Sequence, residues 1–295
     1  MQNSLSELTW LVEAGADEAI GEVAVDRFAA RKPQPNPPLE GGGSASVPTS
    51  KFAEQISGRG QAPVSEFRPS PKPAARVSTL PQGEGKDEIG DAIALARAAA
   101  SLPELKAALE SFDGCALKRS ATTTVFADGN PASRILFIGE APGRDEDRQG
   151  LPFVGRAGKL LDKMLAAIDL DRTSAYITNV LNWRPPDNRE PSPEEAALCL
   201  PFLRRHIELV DPLVMILLGG TSVRHVMGRS DGIMKTRGRW LEYNVAGRMV
   251  PVMPTLHPAY LLRQPAHKKL AWRDLLAVEQ KIISLRALEQ SAGGG

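Results

Sequence analysis

From about residue 89 onward, the apolar positions of this chain follow two rhythms. One is the short unbroken run: RILFIG (134–139), SAYITNVL (174–181), LVMILLG (213–219) and MVPVMPTL (249–256). Runs of this length, rich in aliphatic and β-branched residues, predict buried strands. The other is the helical period: DEIGDAIALARAAASLPELKAALESF with a break at Pro103, GRAGKLLDKMLAAIDL (155–170), SPEEAALCLPFLRRHIELV (192–210) and AHKKLAWRDLLAVEQKIISLRALEQ (266–290). Ser192 is the expected N-cap of the third helix, with Glu195 completing a capping box. TSVRHVMG opens a further short helix. Strands that are apolar on both faces and alternate with helices predict an α/β fold. The expected form is a three-layer α/β/α sandwich around a central four-stranded parallel sheet.

The first 88 residues read differently. A short helical pattern surrounds LSELTWLVEAG within residues 4–30. Residues 31–88 are then dominated by Pro, Gly, Ser and Gln, as in RKPQPNPPLEGGGSASVPTS. Such a stretch buries too little apolar surface to offset its chain entropy. The expected organisation is a disordered extension over 1–88, a folded domain over 89–290 and a flexible tail over 291–295. The extension reads as a plain tether or as a docking peptide for a protein partner.

Charge changes this picture only slightly. The whole chain carries +1, with 9 basic and 12 acidic residues in 1–88 against 27 and 23 in the rest. A mildly basic folded domain permits a polyanionic partner without requiring one. The two cysteines, Cys115 and Cys199, form neither a disulfide framework nor a zinc pattern. Their scarcity fits a reducing, cytoplasmic compartment. No basic stretch followed by an apolar run opens the chain, so no secretory signal is expected. LVMILL (213–218) is too short to span a bilayer, and no membrane association is expected.

In sheets of this kind, ligands bind beyond the carboxyl ends of the strands. Four motifs fall there: Gly139-Glu140, Asn179, GGTS (219–222) and HPAYLLR (257–263). Taken singly, each has an ordinary explanation. Glu140 reads as a turn carboxylate or a reactive one. Asp145, Glu146 and Asp147 read as a solvated acidic loop. Phe153, between two glycines in GLPFVG, is either a small hydrophobic cluster or a platform for a planar ring. Asn179 in an apolar strand must be hydrogen-bonded, to backbone or to the edge of a heterocycle. Pro-bounded RPPDNREP (184–191) is a turn or a phosphate contact. His257 follows a strand, whereas His206, His225 and His267 lie in polar helical contexts and are expected at the surface. The convergence of all four motifs on one rim favours the functional readings.

These motifs, in this order, resemble the uracil-DNA glycosylase superfamily, and most closely its family 4. The matching text is GEAPGRDEDRQGLPFVGRAGKLLDKML, YITNVLNWRPPDNREPSPEEAALCLPFL, LLGG and TLHPAYLLRQP with AWRDL, covering about residues 112–278. The resemblance implies a monofunctional repair enzyme that flips uracil from single- or double-stranded DNA and hydrolyses its N-glycosidic bond. It implies Glu140 and His257 as catalytic residues, with Glu146 and Asp147 as supporting carboxylates. Gly139, Phe153 and Asn179 would bind the base. Arg184, Arg189 and Arg263 would hold the backbone, and Leu261 or Leu262 would wedge into the vacated stack. A monomer at the nucleoid is expected. Rival readings are a non-catalytic reader of flipped bases or single strands, a glycosylase for another deaminated base, and a nucleotide-binding α/β protein.

The resemblance also implies an iron–sulfur cluster on four cysteines, and here the chain departs from the pattern. The four positions hold Phe112, Cys115, Trp183 and Cys199. Two thiolates cannot hold a cubane that requires four. No cofactor and no metal is therefore expected, and the two aromatics should pack with Leu117 and the 192–210 helix. Relatives that trap DNA covalently have a basic, His-containing insertion after the first motif and Gln at the position of Glu140. This chain has neither feature and reads as a turnover enzyme.

Overall fold

The computed structural model describes residues 84–292. The short helix expected within 4–30 and nearly all of the 31–88 segment lie outside the described residues, as do 293–295. The described helices reach past both expected bounds of the folded domain, 89 and 290. Helix α1 spans Glu84–Ala98, taking in five residues assigned to the extension, and the last helix runs to Ala292.

Helices α2 (Leu102–Ser111) and α3 (Ala116–Ser120) follow. Pro103 does not end a helix. It sits in the first turn of α2, where its missing N–H costs nothing, behind the Ser101 N-cap. Then come β1 (Asp128–Gly129), β2 (Ile135–Gly139), α4 (Arg144–Gln149), α5 (Arg156–Ala166) and β3 (Tyr176–Asn179). Helix α6 (Pro193–Val210) has the Ser192–Glu195 capping box anticipated for it. The chain continues through β4 (Val214–Leu218), α7 (Gly220–Met227), α8 (Ile233–Thr236), β5 (Leu241–Val245) and β6 (Arg248–Thr255). It closes with α9 (Pro258–Arg263) and α10 (Lys268–Ala292).

The sheet has six strands, not four, in the order β1-β3-β2-β4-β6-β5. Strands β3, β2, β4 and β6, the four read from the sequence, lie side by side and parallel. Antiparallel β1 and β5 flank them at the two edges. Both edge strands escaped the sequence reading for physical reasons. Strand β1 has only two residues, and β5 is half exposed, so neither makes an apolar run. A two-residue turn, Ala246-Gly247 with φ of 49° and 95°, joins β5 to β6 and matches the twist of a tight hairpin.

The central strands are buried on both faces. Leu136 and Ile138 of β2 face one core with Met215 and Leu217 of β4, against α1, α2 and α6. Ile135 and Phe137 face the other with Val214, Ile216 and Leu218, against α5 and α10. Helices thus cover the sheet on both sides, the three-layer arrangement. His206 is a correction: it is buried on α6, not at the surface. Its Nε2 lies 3.0 Å from the Tyr176 hydroxyl, and its ring stacks on Phe126 at 4.4 Å. Those partners come from other elements, so the polar look of the local sequence misled.

Candidate active site

From β2 the chain passes to β3 on one side, then crosses to β4 on the other. The sheet therefore has a switch point at the carboxyl end of β2, where a crevice must open. A cleft of about 560 Å³ lies there. Its walls include Glu140 after β2, Asn179 at the end of β3, Gly219 after β4 and His257 after β6. All four rim motifs thus meet in one cavity.

Gly139 allows the base-sized end of this cleft to exist. A Cβ there would lie 2.4 Å from Asn179 Oδ1 and 2.5 Å from Phe153 Cζ. Only a residue without a side chain lets the amide and the ring close over the strand end. The Asn179 side chain is buried, and its Oδ1 has no hydrogen-bond partner within the protein. Leaving such an acceptor unpaired costs roughly 1–3 kcal/mol. Phe153 adopts φ 56°, a left-handed conformation uncommon for an aromatic residue. Its ring lines the cleft and lies 5.6 Å from the His257 ring, tilted by 32°.

His257 is the N-cap of α9, and the Ala259 N–H donates to its Nδ1 at 3.1 Å. Nδ1 is therefore the acceptor of the neutral ring, and the proton resides on Nε2. Burial, aided by the Arg263 charge, pulls the imidazole pKa down to about 4. The ring is a neutral donor at physiological pH. Gly219 makes this placement possible: its φ is 93°, and a Cβ would come within 3.0 Å of His257 Cβ.

Glu140 is partly buried at the end of β2. Desolvation raises its pKa, and the Glu190 charge adds to the rise. The Thr221 hydroxyl bonds the carboxylate and acts in the opposite direction, as does Arg224. Arg224 and Glu190 pair at 2.7 Å on the rim. Thr221 belongs to the GGTS motif, but its link to Glu140 crosses from β2 to β4 and depends on the strand order.

The acidic pair after the first turn bonds backbone amides of neighbouring loops. Glu146 Oε2 accepts from Gly143 N–H at 3.1 Å, and Oε1 from Val154 and Gly155 N–H at 3.0 and 2.9 Å. Asp147 Oδ1 accepts from Thr122 and Thr123 N–H at 2.8 and 3.1 Å. Both are buried. These bonds to backbone fix the shape of the loops around them. Glu146 in particular ties the Pro-Gly turn to the loop that carries Phe153.

Of the wedge residues, Leu261 is fully buried in the core and cannot intercalate, whereas Leu262 is 38% exposed. Arg263 lines the cleft and is exposed. Arg189 also lines it, but its guanidinium is paired bidentately with Glu195 at 2.8 and 2.5 Å. Its charge is therefore largely matched already. Arg184 donates from Nε to Asn188 Oδ1 at 2.8 Å. A second groove, sharing Glu146, Ala157 and Asn188 with the cleft, adds Arg144 and Arg156 beside Arg184. Sequence reading passed over these two arginines, because only the fold brings the two Gly-rich loops alongside RPPDNREP.

All four positions where a family-4 resemblance implies cluster ligands are buried in one core. Phe112 and Trp183 are buried there, and Phe112 packs on Phe202 of α6 at 5.4 Å. Trp183 Nε1 donates to Thr124 Oγ1 at 3.1 Å. Leu117 belongs to the same core. Cys115 and Cys199 hydrogen-bond to each other, and that bond, together with burial, raises the Cys199 thiol pKa. Two thiols do not supply the four sulfur donors that a cubane requires. The residues present do not fit the cluster. Among the described residues, no group of three or more His, Cys, Asp or Glu side chains is placed to hold a metal ion.

Residues 126–276 match the Uracil DNA glycosylase superfamily. Curated relatives point the same way. A type-4 uracil-DNA glycosylase of Sulfurisphaera tokodaii is 37% identical over 189 residues, covering 62% of this chain and 86% of the relative. One from Archaeoglobus fulgidus is 42% identical, over 56% of this chain and 85% of its own length. One from Thermotoga maritima is 43% identical, over 52% and 79%. The matched region contains the whole cleft, from Glu140 to Arg263, and the chain belongs to the uracil-DNA glycosylase superfamily, alongside its type-4 members.

Proposed function

We propose that this protein is a monofunctional DNA-repair glycosylase that excises uracil from DNA and leaves an abasic site. The observation that carries the reading is the buried, unpartnered Oδ1 of Asn179 in a cleft with Phe153 and His257.

A base within a duplex is out of reach, so the nucleotide must first leave the stack. Arg184 and Arg263, with Arg144 and Arg156 along the adjoining groove, hold the phosphates. Leu262 fills the gap left in the stack. The flipped uracil stacks on Phe153. Asn179 Oδ1 accepts its N3–H and Nδ2 donates to O4. Cytosine presents an acceptor at N3 and a donor at C4, so both contacts become repulsive. A site that leaves buried polar groups unpaired with the wrong base discriminates strongly.

Cleavage of the N-glycosidic bond moves the bonding pair onto the base, giving a uracil anion and an oxocarbenium-like sugar. His257 Nε2–H donates to uracil O2 as that charge develops. A preorganised donor of this kind lowers the barrier by roughly 3–4 kcal/mol. Being neutral, the ring gives up no proton. Glu140, as carboxylate, faces the sugar cation and orients the water that attacks C1′. The water oxygen bonds to C1′, and its proton is released to solvent or to the departing base. No step uses a metal or cofactor. We further infer a monomer acting at the nucleoid in the cytoplasm. Among the described residues no helix is long and apolar enough to cross a membrane.

The test is incubation with oligonucleotides containing uracil, cytosine or hypoxanthine, single- and double-stranded, followed by alkali. Strand cleavage only at uracil is expected. Tight binding to uracil DNA without cleavage would mean a non-catalytic reader, and cleavage at hypoxanthine but not uracil would mean a different glycosylase.

A further inference from the structure

We infer that Arg172 is the positioning residue that holds the Phe153 platform in its base-binding conformation. The inference rests on the reading of Phe153 as that platform. Arg172 lies in the loop between α5 and β3 and does not line the cleft. Its side chain is only 26% exposed. Nη2 donates to the Phe153 carbonyl, and Nη1 to the Pro152 carbonyl at 3.1 Å. The same guanidinium pairs with Asp128 of β1 through Nη1 and with Asp162 of α5 through Nε at 2.8 Å.

The geometry around Phe153 explains why such a fork is needed. The residue sits at φ 56°, where an aromatic side chain does not stay unless its surroundings hold it. On one side its carbonyl presses against α5: a Cβ on Gly158 would lie 1.7 Å from that oxygen. On the other side the ring edge rests on the bare Cα of Gly139. The carbonyl is therefore held between Gly158 and Arg172, and the ring between Gly139 and the cleft. Releasing the carbonyl lets the peptide rotate toward an ordinary φ, and the ring swings out of the plane that faces His257. Asp128 and Asp162 offset the arginine's charge, so its effect on the site is directional and not a long-range field. A planar fork reaches two adjacent carbonyls and two carboxylates at once, which a lysine ammonium cannot do.

The test is a double-mutant cycle of Arg172 and Phe153, using single-turnover excision from a uracil-containing single strand and inhibition by free uracil. Phe153→Ala should raise KM and the uracil inhibition constant about tenfold, within the range of one stacked base. Arg172→Lys, which keeps a cation beside Asp128 and Asp162, should raise both by a similar factor while lowering kcat less than threefold. In the Phe153→Ala background it should add nothing, because both changes remove the same platform. Asp162→Asn, which breaks an ion pair but leaves the carbonyl bonds, should lower thermal stability and leave KM unchanged. A multiplicative effect of the two changes would overturn the proposal, as would a normal KM in Arg172→Lys. So would an equal rise in Asp162→Asn, which would make the arginine a plain structural tie. If Phe153→Ala itself leaves KM and uracil inhibition unchanged, the platform reading fails and this proposal falls with it. The first three outcomes leave that reading standing.

Discussion

At the smallest scale, Asn179 carries a buried acceptor without a partner, and Gly139 leaves the space beside it. We predict that Asn179→Asp weakens discrimination between uracil and cytosine, since a carboxyl group presents a different pattern to the base edge. An unchanged ratio of excision rates in active protein would remove Asn179 as the reader. Gly139→Ala should fold, yet lose at least tenfold in uracil excision, because the new methyl displaces the Asn179 amide or the Phe153 ring. Normal excision by that variant would mean that the site tolerates the displacement. Glu140 and His257 make opposite demands on pH. Glu140 works ionised, and burial raises its pKa, so activity should fall on the acid side at a pH above the ordinary glutamate range. His257 works neutral, and its pKa of about 4 keeps it so throughout that fall. An NMR titration of the His257 ring centred near the ordinary histidine value, or a proton found on Nδ1, would contradict its role as an Nε2–H donor.

At the level of elements, the chain's legibility depends on how local each signal is. The four central strands and the α6 capping box were readable because an apolar run or a cap is written in adjacent residues. The edge strands were not, being short or half exposed. Glu146 and Asp147 looked like a solvated or catalytic cluster because their partners, the amides of Thr122, Thr123, Val154 and Gly155, come from other loops. Leu261 and Leu262 are adjacent in the text, and only the seating of α9 decides which one faces solvent. Phe112 and Trp183 stand at two positions where the family-4 resemblance implies thiolates, and both are buried. Phe112, which caps α2, packs on Phe202 of α6. Phe112→Ala should therefore destabilise the protein by about 3–5 kcal/mol, the cost of emptying a large core site. Cys115→Ala with Cys199→Ala should retain fold and excision, and protein prepared without air should contain no stoichiometric iron. Iron at stoichiometry, or loss of activity in the double variant with iron release, would overturn this expectation.

For the molecule as a whole, buried His206 and part-buried His257 link stability to pH. Burial lowers His206 to about 3 and, with Arg263, His257 to about 4, against an ordinary value of 6.5 in the unfolded chain. Between those limits the unfolded state binds more protons, so stability is full above about pH 6.5 and declines as pH falls toward 4. A single buried histidine contributes a slope of roughly 1 kcal/mol per pH unit in that window. His206→Gln should flatten the decline between pH 7 and 5, as read from denaturant midpoints, and an unchanged slope would contradict the assignment. The same three-layer body that buries His206 also opens a crevice at its switch point, and excision of uracil there is the central claim. Its most direct test is single-turnover release of free uracil from a uracil-containing oligonucleotide by the wild type, Glu140→Gln and His257→Ala. The wild type should release one uracil per strand and leave an alkali-labile site. The two variants should bind the same strand with rates at least a hundredfold lower, in line with the loss of a preorganised group. Wild-type protein that binds but releases no uracil, or folded variants that release it at the wild-type rate, would contradict the account.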